Sequence, residues 1–293
     1  MPERLPYRIA ITGSNGQMGR ELARIAPDYP SHQFTFLTRG TFPLDEPDKM
    51  ENWLSLHPVD IFIHCAAYTA VDKAESEQEK AFRVNAKAPG LIASLLAEKK
   101  SRLIYLSTDY VFDGRSSVPL TEEAATHPVN IYGASKLEGE HLVLLNNPLT
   151  QVIRTSWLYS AYGNNFVKTM IRLMKERESV QVVRDQAGSP TYAGDLAGAI
   201  MYILESDHFI PGIYHYSNEG ETNWYEFALE IKRLTGSMCD VLPVPSDGFP
   251  TAAKRPAYSL MNKSKIKQLY GLDIPEWQTS LASCVELIKK QGV

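Results

Sequence analysis

The chain has 293 residues, 44% of them hydrophobic and 22% charged, and its formal net charge at pH 7 is -4. This length and composition allow a large core and exclude a marginal mini-protein or a disordered or fibrous chain. Acidic and basic residues are interspersed, so no basic face indicates nucleic acid as a partner. No apolar run reaches the roughly 18 residues of a membrane-spanning helix, and residues 1–8 lack the apolar core of a signal peptide. We therefore expect a cytoplasmic protein that contacts neither nucleic acid nor a membrane.

The first half of the chain alternates short apolar runs rich in β-forming residues with segments of helical period. This alternation is typical of a parallel sheet covered by helices on both faces, and right-handed crossovers make such a sheet doubly wound. The predicted strands are 7–12, 33–37, 61–65, 103–107 and 151–155. The predicted helices are 16–26, 50–56, 77–98 and 132–145. We therefore predict an α/β fold of the Rossmann type.

After about residue 156 the character of the sequence changes, because prolines and aromatic-rich loops interrupt shorter elements. We predict a main domain over 1–156 and a mainly substrate-binding lobe over 157–293, with some segments of the second half returning to the main sheet. One helix of the lobe is well marked. Asn223 is a favourable N-cap, Glu226 follows three residues on as in a capping box, and Gly236 can end the helix.

The three cysteines, Cys65, Cys239 and Cys284, are too few and too far apart for a disulfide framework or a cysteine-rich metal site. We expect buried thiols, because free cysteine packs like a small hydrophobic residue. The seven histidines show no metal-ligand spacing such as HExxH, so we predict no catalytic metal.

Three glycines, Gly13, Gly16 and Gly19, stand at GxxGxxG spacing between the first predicted strand and the first predicted helix. In a dinucleotide-binding turn the first glycine permits the tight turn, the second lets the backbone approach a pyrophosphate, and the third lets helix and strand pack closely. The start of the helix offers free N–H groups to phosphates. A glycine motif alone is weak evidence, but its position between a strand and a helix favours a bound dinucleotide.

The residues at the end of the second predicted strand bear on which dinucleotide binds. An NAD-binding domain usually has an acidic residue there, whereas this chain has Arg39. A guanidinium suits a 2′-phosphate, so we predict NADPH, with NADH as the alternative if Arg39 is only a solvated loop charge. Asp45 comes later, and we expect it to face the adenine ring rather than the ribose.

The third predicted strand is followed by small residues, Ala66 and Ala67, which suit a chain that passes close to a flat cofactor. The alternative is that these alanines only make a tight strand end. The fourth predicted strand ends at Ser107 and Thr108, where the ligand crevice of a doubly wound sheet lies. A hydroxyl there can hold a substrate oxygen, although both residues would also suit a turn.

Tyr132 and Lys136 stand four residues apart, so a helix places them on one face. Because a nearby ammonium favours the phenolate, we expect Lys136 to lower the pKa of Tyr132. Such a tyrosine can exchange a proton with a carbonyl or alcohol oxygen, which is the general acid chemistry of carbonyl reduction. A YxxxK string is common and usually structural. The strand end at Thr108 is what supports a catalytic interpretation of this one.

Several longer strings together resemble the dTDP-4-dehydrorhamnose reductase family of extended short-chain dehydrogenases. They are TAVDKAE at 69–75, STDYVFDG at 107–114, YGASK at 132–136, RTSWLY at 154–159, GNNF at 163–166, DQAGSPT at 185–191 and RPAYS at 255–259. The likeness covers nearly the whole chain, and the first two strings are far more specific than the glycine turn. It implies NADPH-dependent reduction of the 4-keto group of dTDP-4-dehydro-L-rhamnose to dTDP-L-rhamnose.

The resemblance also implies roles for individual residues. The catalytic residues would be Thr108, Tyr132 and Lys136. The substrate contacts would be Thr108, Asp109 and Trp157, to which we add Arg255 for the diphosphate on the basis of its charge. The cofactor contacts that the resemblance implies would be Gln17, Met18, Gly19, Ala67, Tyr68 and Thr69. To these the interpretation of the glycine turn, the strand ends and the tyrosine–lysine pair adds Gly13, Asn15, Gly16, Arg39, Asp45, Ala66, Tyr132 and Lys136.

One departure from the family concerns assembly. The resemblance implies that some members are dimers bridged by a divalent metal, with one acidic ligand after the Gly-x-Pro-Thr segment. This chain has Tyr192, Ala193, Gly194 and Asp195 after that segment. We therefore predict no metal and leave the oligomeric state open between monomer and homodimer.

Two other functions remain open from the sequence. One is a nucleotide-sugar epimerase or dehydratase of the same extended fold, which would regenerate its cofactor instead of consuming it. The other is a non-catalytic NADP-binding regulatory subunit, which would need the glycine turn but not Tyr132 and Lys136. The presence of both residues together with Thr108 favours the enzyme.

Overall fold

The computed structural model describes residues 6–206 and 208–291, so most of the segment inspected for a signal peptide lies outside the described residues. Its strands are β1 Arg8–Thr12, β2 Gln33–Leu37, β3 Ile61–His64, β4 Arg102–Thr108, β5 Thr150–Thr155, β6 Leu158–Tyr159, β7 Ser179–Val183, β8 Ala187–Gly188, β9 Thr191–Tyr192, β10 Gly212–His215, β11 Thr222–Asn223 and β12 Asp240–Val244. Its helices are α1 Gln17–Ile25, α2 Pro47–Leu56, α3 Val71–Ala74, α4 Gln78–Phe82, α5 Ala88–Glu98, α6 Ile131–Asn146, α7 Phe166–Glu176, α8 Ala193–Glu205, α9 Trp224–Thr235, α10 Ser264–Tyr270 and α11 Trp277–Lys290.

Six strands form a parallel sheet in the order β10-β5-β4-β3-β1-β2. The chain runs from β1 to β2 on one side and then to β3 on the other, so the strand order reverses between β1 and β3. In an open α/β sheet the ligand crevice lies at such a switch point, outside the carboxyl ends of the strands. The predicted fold class, a doubly wound Rossmann-type sheet, is confirmed.

Buried side chains cover both faces of this sheet. On one face, Ile9 and Ile11 of β1 pack with Leu22 of α1 and with the apolar side of α8, including Leu196 and Ile200. On the other face, α2, α5 and α6 pack on alternate residues of the same strands. The central strands are apolar on both sides because both faces are covered, which is why they read as continuous apolar runs in the sequence.

A smaller lobe follows the fifth strand. Helices α7, α9 and α11 pack around a separate apolar cluster that includes Phe227 and Leu281, beside the parallel pair β7 and β12. The predicted caps of α9 are confirmed. The side chain of Asn223 accepts a hydrogen bond from the backbone N–H of Glu226 at 2.9 Å, and Gly236 ends the helix in the left-handed conformation.

The predicted strands agree with the observed ones to within one residue at each end. The predicted helix over 77–98 is instead three pieces, α4, a π-helical turn at Arg83–Lys87, and α5. The sixth strand, β10, and the helix α8 come from the second half of the chain but belong to the main sheet and its cover. The division at residue 156 therefore stays a prediction, because the chain returns to the sheet after it.

Candidate active site

The glycine turn lies where β1 leads into α1. Gly13 has a φ of +69°, and a Cβ there would be 2.8 Å from the backbone N of Ala66. A Cβ at Gly19 would be 2.4 Å from the carbonyl oxygen of Gly13, so this glycine brings the helix against the turn. Gly16 caps α1 without a side-chain hydrogen bond to the first turn. The first backbone N–H groups of α1 therefore point toward the crevice without a side-chain acceptor, as an anion site requires.

A cavity of about 840 Å³ runs from this turn across the carboxyl ends of the strands. It falls in the size range of small-molecule and cofactor sites. Most of the predicted site residues line it: Gly13, Asn15, Gly16, Gln17, Met18, Arg39, Asp45, Ala66, Ala67, Tyr68, Thr69, Thr108, Asp109, Tyr132, Lys136 and Trp157. Gly19 and Arg255 are not among its lining residues, and their predicted contacts with cofactor and substrate stay predictions. Gly19 packs instead against the backbone of Gly13 and Ser14.

Arg39 and Asp45 form an ion pair at the end of β2, with 3.3 Å between Arg39 Nη2 and Asp45 Oδ2. The side chain of Arg39 is 80% exposed, so it is free to move toward a ligand. Since exposed pairs of this kind contribute little to stability, an anion can compete with Asp45 for the guanidinium.

The start of α6 is fixed by three contacts. The Asn130 side chain accepts a hydrogen bond from the N–H of Gly133 at 2.7 Å, and Glu75 Oε1 accepts one from the N–H of Ile131 at 2.9 Å. A Cβ at Gly133 would be 2.1 Å from the carbonyl oxygen of Tyr110, so the helix lies directly against the turn that follows β4. These contacts place Tyr132, the second residue of α6, beside the loop that follows β4.

Thr108, Asp109 and Tyr132 form a connected polar group on the cavity wall. The Thr108 hydroxyl donates to Asp109 Oδ1 at 3.1 Å. Burial raises the pKa of Asp109 to about 6, and its Oδ2 is buried without a partner among the described residues. Burial likewise raises the pKa of Tyr132 to about 12, although a hydrogen bond with Thr108 acts in the opposite direction. Tyr132 is therefore a protonated phenol at neutral pH.

The predicted acidification of Tyr132 by Lys136 is wrong in this structure. Lys136 Nζ donates to the carbonyl oxygen of Leu106 at 2.7 Å and lies 3.9 Å from the centre of the Tyr105 ring. Burial lowers the pKa of Lys136 to about 7, while Glu140 acts to raise it. Helical spacing placed both residues on one side of α6 as expected, but the ammonium is held by the end of β4 instead of the phenol.

Ser107 is tied to a buried ion pair. Its hydroxyl donates to Glu140, and Arg154 Nη2 lies 2.7 Å from Glu140 Oε2 with both side chains almost fully buried. Of the two hydroxyls predicted to hold a substrate oxygen, Ser107 thus already has a carboxylate acceptor. Thr108 has the side chain that contacts Tyr132 and is the better candidate.

Trp157 and Arg255 lie toward the lobe. The Trp157 indole lines the cavity and stacks on Trp224, with ring centres 3.8 Å apart. Arg255 lines a neighbouring cavity of about 1170 Å³ and is paired with Asp72 at 2.9 Å. Arg255 also contacts Tyr110, whose ring packs edge-on against Tyr132 at 5.7 Å, so it lies close to the loop beside Tyr132.

Asn85, in the π-helical turn, supports the site from behind the cavity wall and was not predicted from the sequence. Its side chain accepts from the N–H of Tyr68 at 2.8 Å and donates to the carbonyl oxygen of Tyr68 and the hydroxyl of Ser135. It therefore joins the cavity wall after β3 to the helix that carries Tyr132. A π turn leaves no periodic signal in one sequence, although such turns are frequent at functional sites.

Fold and site together define a Rossmann-fold oxidoreductase of the extended short-chain dehydrogenase class. The family model described as RmlD substrate binding domain matches residues 7–290. The chain belongs to the dTDP-4-dehydrorhamnose reductase family, which confirms the resemblance seen in the sequence.

Three relatives illustrate this relationship. The dTDP-4-dehydrorhamnose reductase of Sinorhizobium fredii is 40% identical, covering 97% of this chain and 99% of the relative. That of Aggregatibacter actinomycetemcomitans is 37% identical, covering 94% and 97%. The crystal structure of the Bacillus anthracis dTDP-4-dehydrorhamnose reductase in complex with NADP is 38% identical, with a TM-score of 0.92 and coverage of 96% and 99%.

Proposed function

We propose that this protein reduces the 4-keto group of dTDP-4-dehydro-L-rhamnose to dTDP-L-rhamnose with NADPH. The observation that carries the proposal is the single cavity that joins the glycine turn to Thr108 and Tyr132. Family membership supports the substrate, because relatives that match nearly the full chain are named for this reaction. The alternatives of an epimerase, a dehydratase or a regulatory subunit are not favoured by these relatives.

The residues around the glycine turn suit the proposed cofactor. The turn itself and the first N–H groups of α1 would hold the pyrophosphate, since they are unblocked donors at the positive end of a helix. Arg39 would hold the 2′-phosphate, and Asp45 would lie toward the adenine. NADPH bound there would supply a hydride for the carbonyl carbon. Tyr68 and Thr69 would line the nicotinamide part of the cavity, with Asn85 fixing Tyr68.

Tyr132 would donate the proton to the ketone oxygen as the alcohol forms. Its raised pKa suits this direction of reaction, because the phenol is fully protonated at neutral pH and an alkoxide is a much stronger base. Thr108 would hold the ketone oxygen against the phenol. Lys136, held by Leu106, lines the same cavity and would hold the nicotinamide ribose of the cofactor.

The other proposed substrate contacts line the two neighbouring cavities. Asp109 has one carboxylate oxygen without a partner among the described residues, and this oxygen would accept a hydrogen bond from a sugar hydroxyl. Trp157 would pack on the sugar ring. Arg255 would meet the diphosphate in the neighbouring cavity after release from Asp72.

We expect the protein to act in the cytoplasm, because its three cysteines are free thiols as in reducing compartments. Its oligomeric state is left open between monomer and homodimer. The helices of the described residues include none long and apolar enough to span a bilayer. We propose no metal at Asp195, whose carboxylate already accepts hydrogen bonds from Asn218 and Ser280.

Tyr132→Phe tests the proposed reaction. With NADPH and the keto sugar nucleotide, loss of nicotinamide absorbance should match product formation one to one in the wild-type protein. The variant should lose roughly 10²–10⁴-fold in kcat, because the proton donor is removed. Tyr202→Phe is the matched control, since Tyr202 is 52% exposed on α8 and should leave the rate unchanged. A cofactor that is regenerated instead of consumed would indicate an epimerase or dehydratase.

A further inference from the structure

Trp157 holds an unusual backbone conformation at the edge of the active-site cavity. Its φ is +47°, and Lys100 is the other non-glycine residue with a positive φ among the described residues. The left-handed region brings Cβ close to the following carbonyl oxygen, so a tryptophan remains there only when its surroundings hold it. Residue 157 follows the carboxyl end of β5, which explains how this turn directs the indole toward the cavity.

The indole of Trp157 is held by two neighbours. It stacks on Trp224 with a centre-to-centre distance of 3.8 Å and an angle of 15° between the rings. Its edge lies against Gly188, where a Cβ would be 3.0 Å from Trp157 Cζ2. A side chain at position 188 would therefore push the indole, and the loss of Trp224 would free one of its faces.

Trp224 is in turn held in place by the lobe. It is the first residue of α9, directly after the capping Asn223. Its indole N–H donates to Gln186 Oε1 at 3.2 Å, and Gln186 Nε2 donates to Ser246 at 3.0 Å. The Phe166 ring packs on it at 4.7 Å. Trp224 is thus fixed by contacts that do not involve Trp157.

We propose that Trp224 is a positioning residue for the sugar nucleotide, which acts by holding the Trp157 indole against the sugar. This inference rests on the proposed function and on the proposed contact between Trp157 and the sugar. A 6-deoxy sugar has an apolar methyl-bearing side that suits an aromatic face, and a fixed indole loses less conformational freedom on binding than a mobile one. Because Trp224 lines both cavities, it also sets the boundary between their occupants.

Kinetics of Trp224→Leu and Trp224→Phe test this role. We expect Trp224→Leu to raise the KM for the keto sugar nucleotide roughly tenfold, which corresponds to the loss of one stacked aromatic contact. Trp224→Phe should fall between this variant and wild type, and the KM for NADPH should stay unchanged in both. Trp53→Phe is the control, since Trp53 also stacks on a ring, that of His57, but does not line either cavity.

A double-mutant cycle distinguishes a positioning role of Trp224 from a general disturbance of the structure. If Trp224 acts through Trp157, the variant that combines Trp157→Leu with Trp224→Leu should have the same KM as Trp157→Leu alone. The near-ultraviolet circular dichroism signal of the stacked pair should be lost equally in Trp157→Leu, in Trp224→Leu and in the combined variant. Additive effects on KM, or an unchanged KM in Trp224→Leu, would overturn the proposal. Absence of turnover in the wild-type protein would instead overturn the proposed function.

Discussion

Two buried ionisable side chains lie beside the proposed reaction centre, and each departs from its ordinary pKa for the same reason. Burial disfavours the charged form, so it raises the pKa of Tyr132 to about 12 and lowers that of Lys136 to about 7. Within α6 the two residues are one helical turn apart, yet they differ in their neighbours. Tyr132 contacts Thr108, whereas Lys136 contacts the carbonyl of Leu106 and interacts electrostatically with Glu140, Cys65 and His64.

The pH dependence of kcat/KM should show the titration of Lys136. Below pH 7 its ammonium is charged, and as the pH rises through about 7 the charge proposed to hold the cofactor is lost. We therefore expect kcat/KM to fall above about pH 7, because this ratio reports ionisations of the free enzyme. Lys136→Arg keeps its charge over this range, so its profile should lack this alkaline limb even if its rate is lower. An identical limb in the variant would assign it to another group.

The residue types of the site were predictable from the sequence, whereas their contacts were not. The glycine turn, Thr108, Tyr132 and Trp157 follow from spacing and from specific strings, and the structure places them around one cavity. Which atom holds the Lys136 ammonium depends on the distance between α6 and the end of β4. Close packing at Gly133 affects that distance, which cannot be predicted from a pattern in one sequence.

At the scale of elements, the first turn of helix α6 positions Tyr132 in the site. Its first turn is held by the Asn130 cap and by Glu75 of the TAVDKAE string. The sequence predicts the helix from its periodicity, and the cap explains why it begins one residue before Tyr132. The role of Glu75 could not be predicted, since it depends on a contact between residues 56 positions apart.

Asn130→Ala tests whether this cap positions Tyr132, the proposed proton donor. Loss of an N-cap side chain should lower the free energy of unfolding by about 1 kcal/mol. The same loss is expected for Asn223→Ala, the matched cap of α9 in the lobe. Only Asn130→Ala should lower kcat, because Tyr132 lies in the first turn of its helix. Denaturant unfolding and steady-state kinetics on both variants measure this, and an equal kcat in the two would remove α6 capping from the mechanism.

At the scale of the whole molecule, the two halves of the chain build one sheet. The strand β10 pairs with β5, and α8 covers the face formed by β1 and β3. The sequence indicated a sheet in the first half, but the four residues of β10 are too short and too distant from β5 to be predicted. Their place depends on the register of Gly212 opposite Gln151, which is a tertiary contact.

A fragment that ends at residue 156 should therefore not behave as a folded domain. It would contain the glycine turn and Tyr132, but it would lack α8 over Ile9 and Ile11 and would leave β5 as an open edge. Uncovered apolar surface and a free strand edge favour aggregation. We expect the fragment to bind a hydrophobic dye and to lack NADPH binding, in contrast to the full chain. A soluble, monomeric fragment that binds NADPH would support the division at residue 156 as a domain boundary.

The position of β10 in the chain also affects how the protein is made. Its last residue, His215, is synthesised long after β5 is complete. During that interval the nascent polypeptide carries a strand whose outer N–H and C=O groups have no neighbour, and two ribosomes on one message would bring two such strands close together. Slow translation between residues 156 and 212 would lengthen this exposure, so the yield of active protein should depend on chaperones that shield nascent chains.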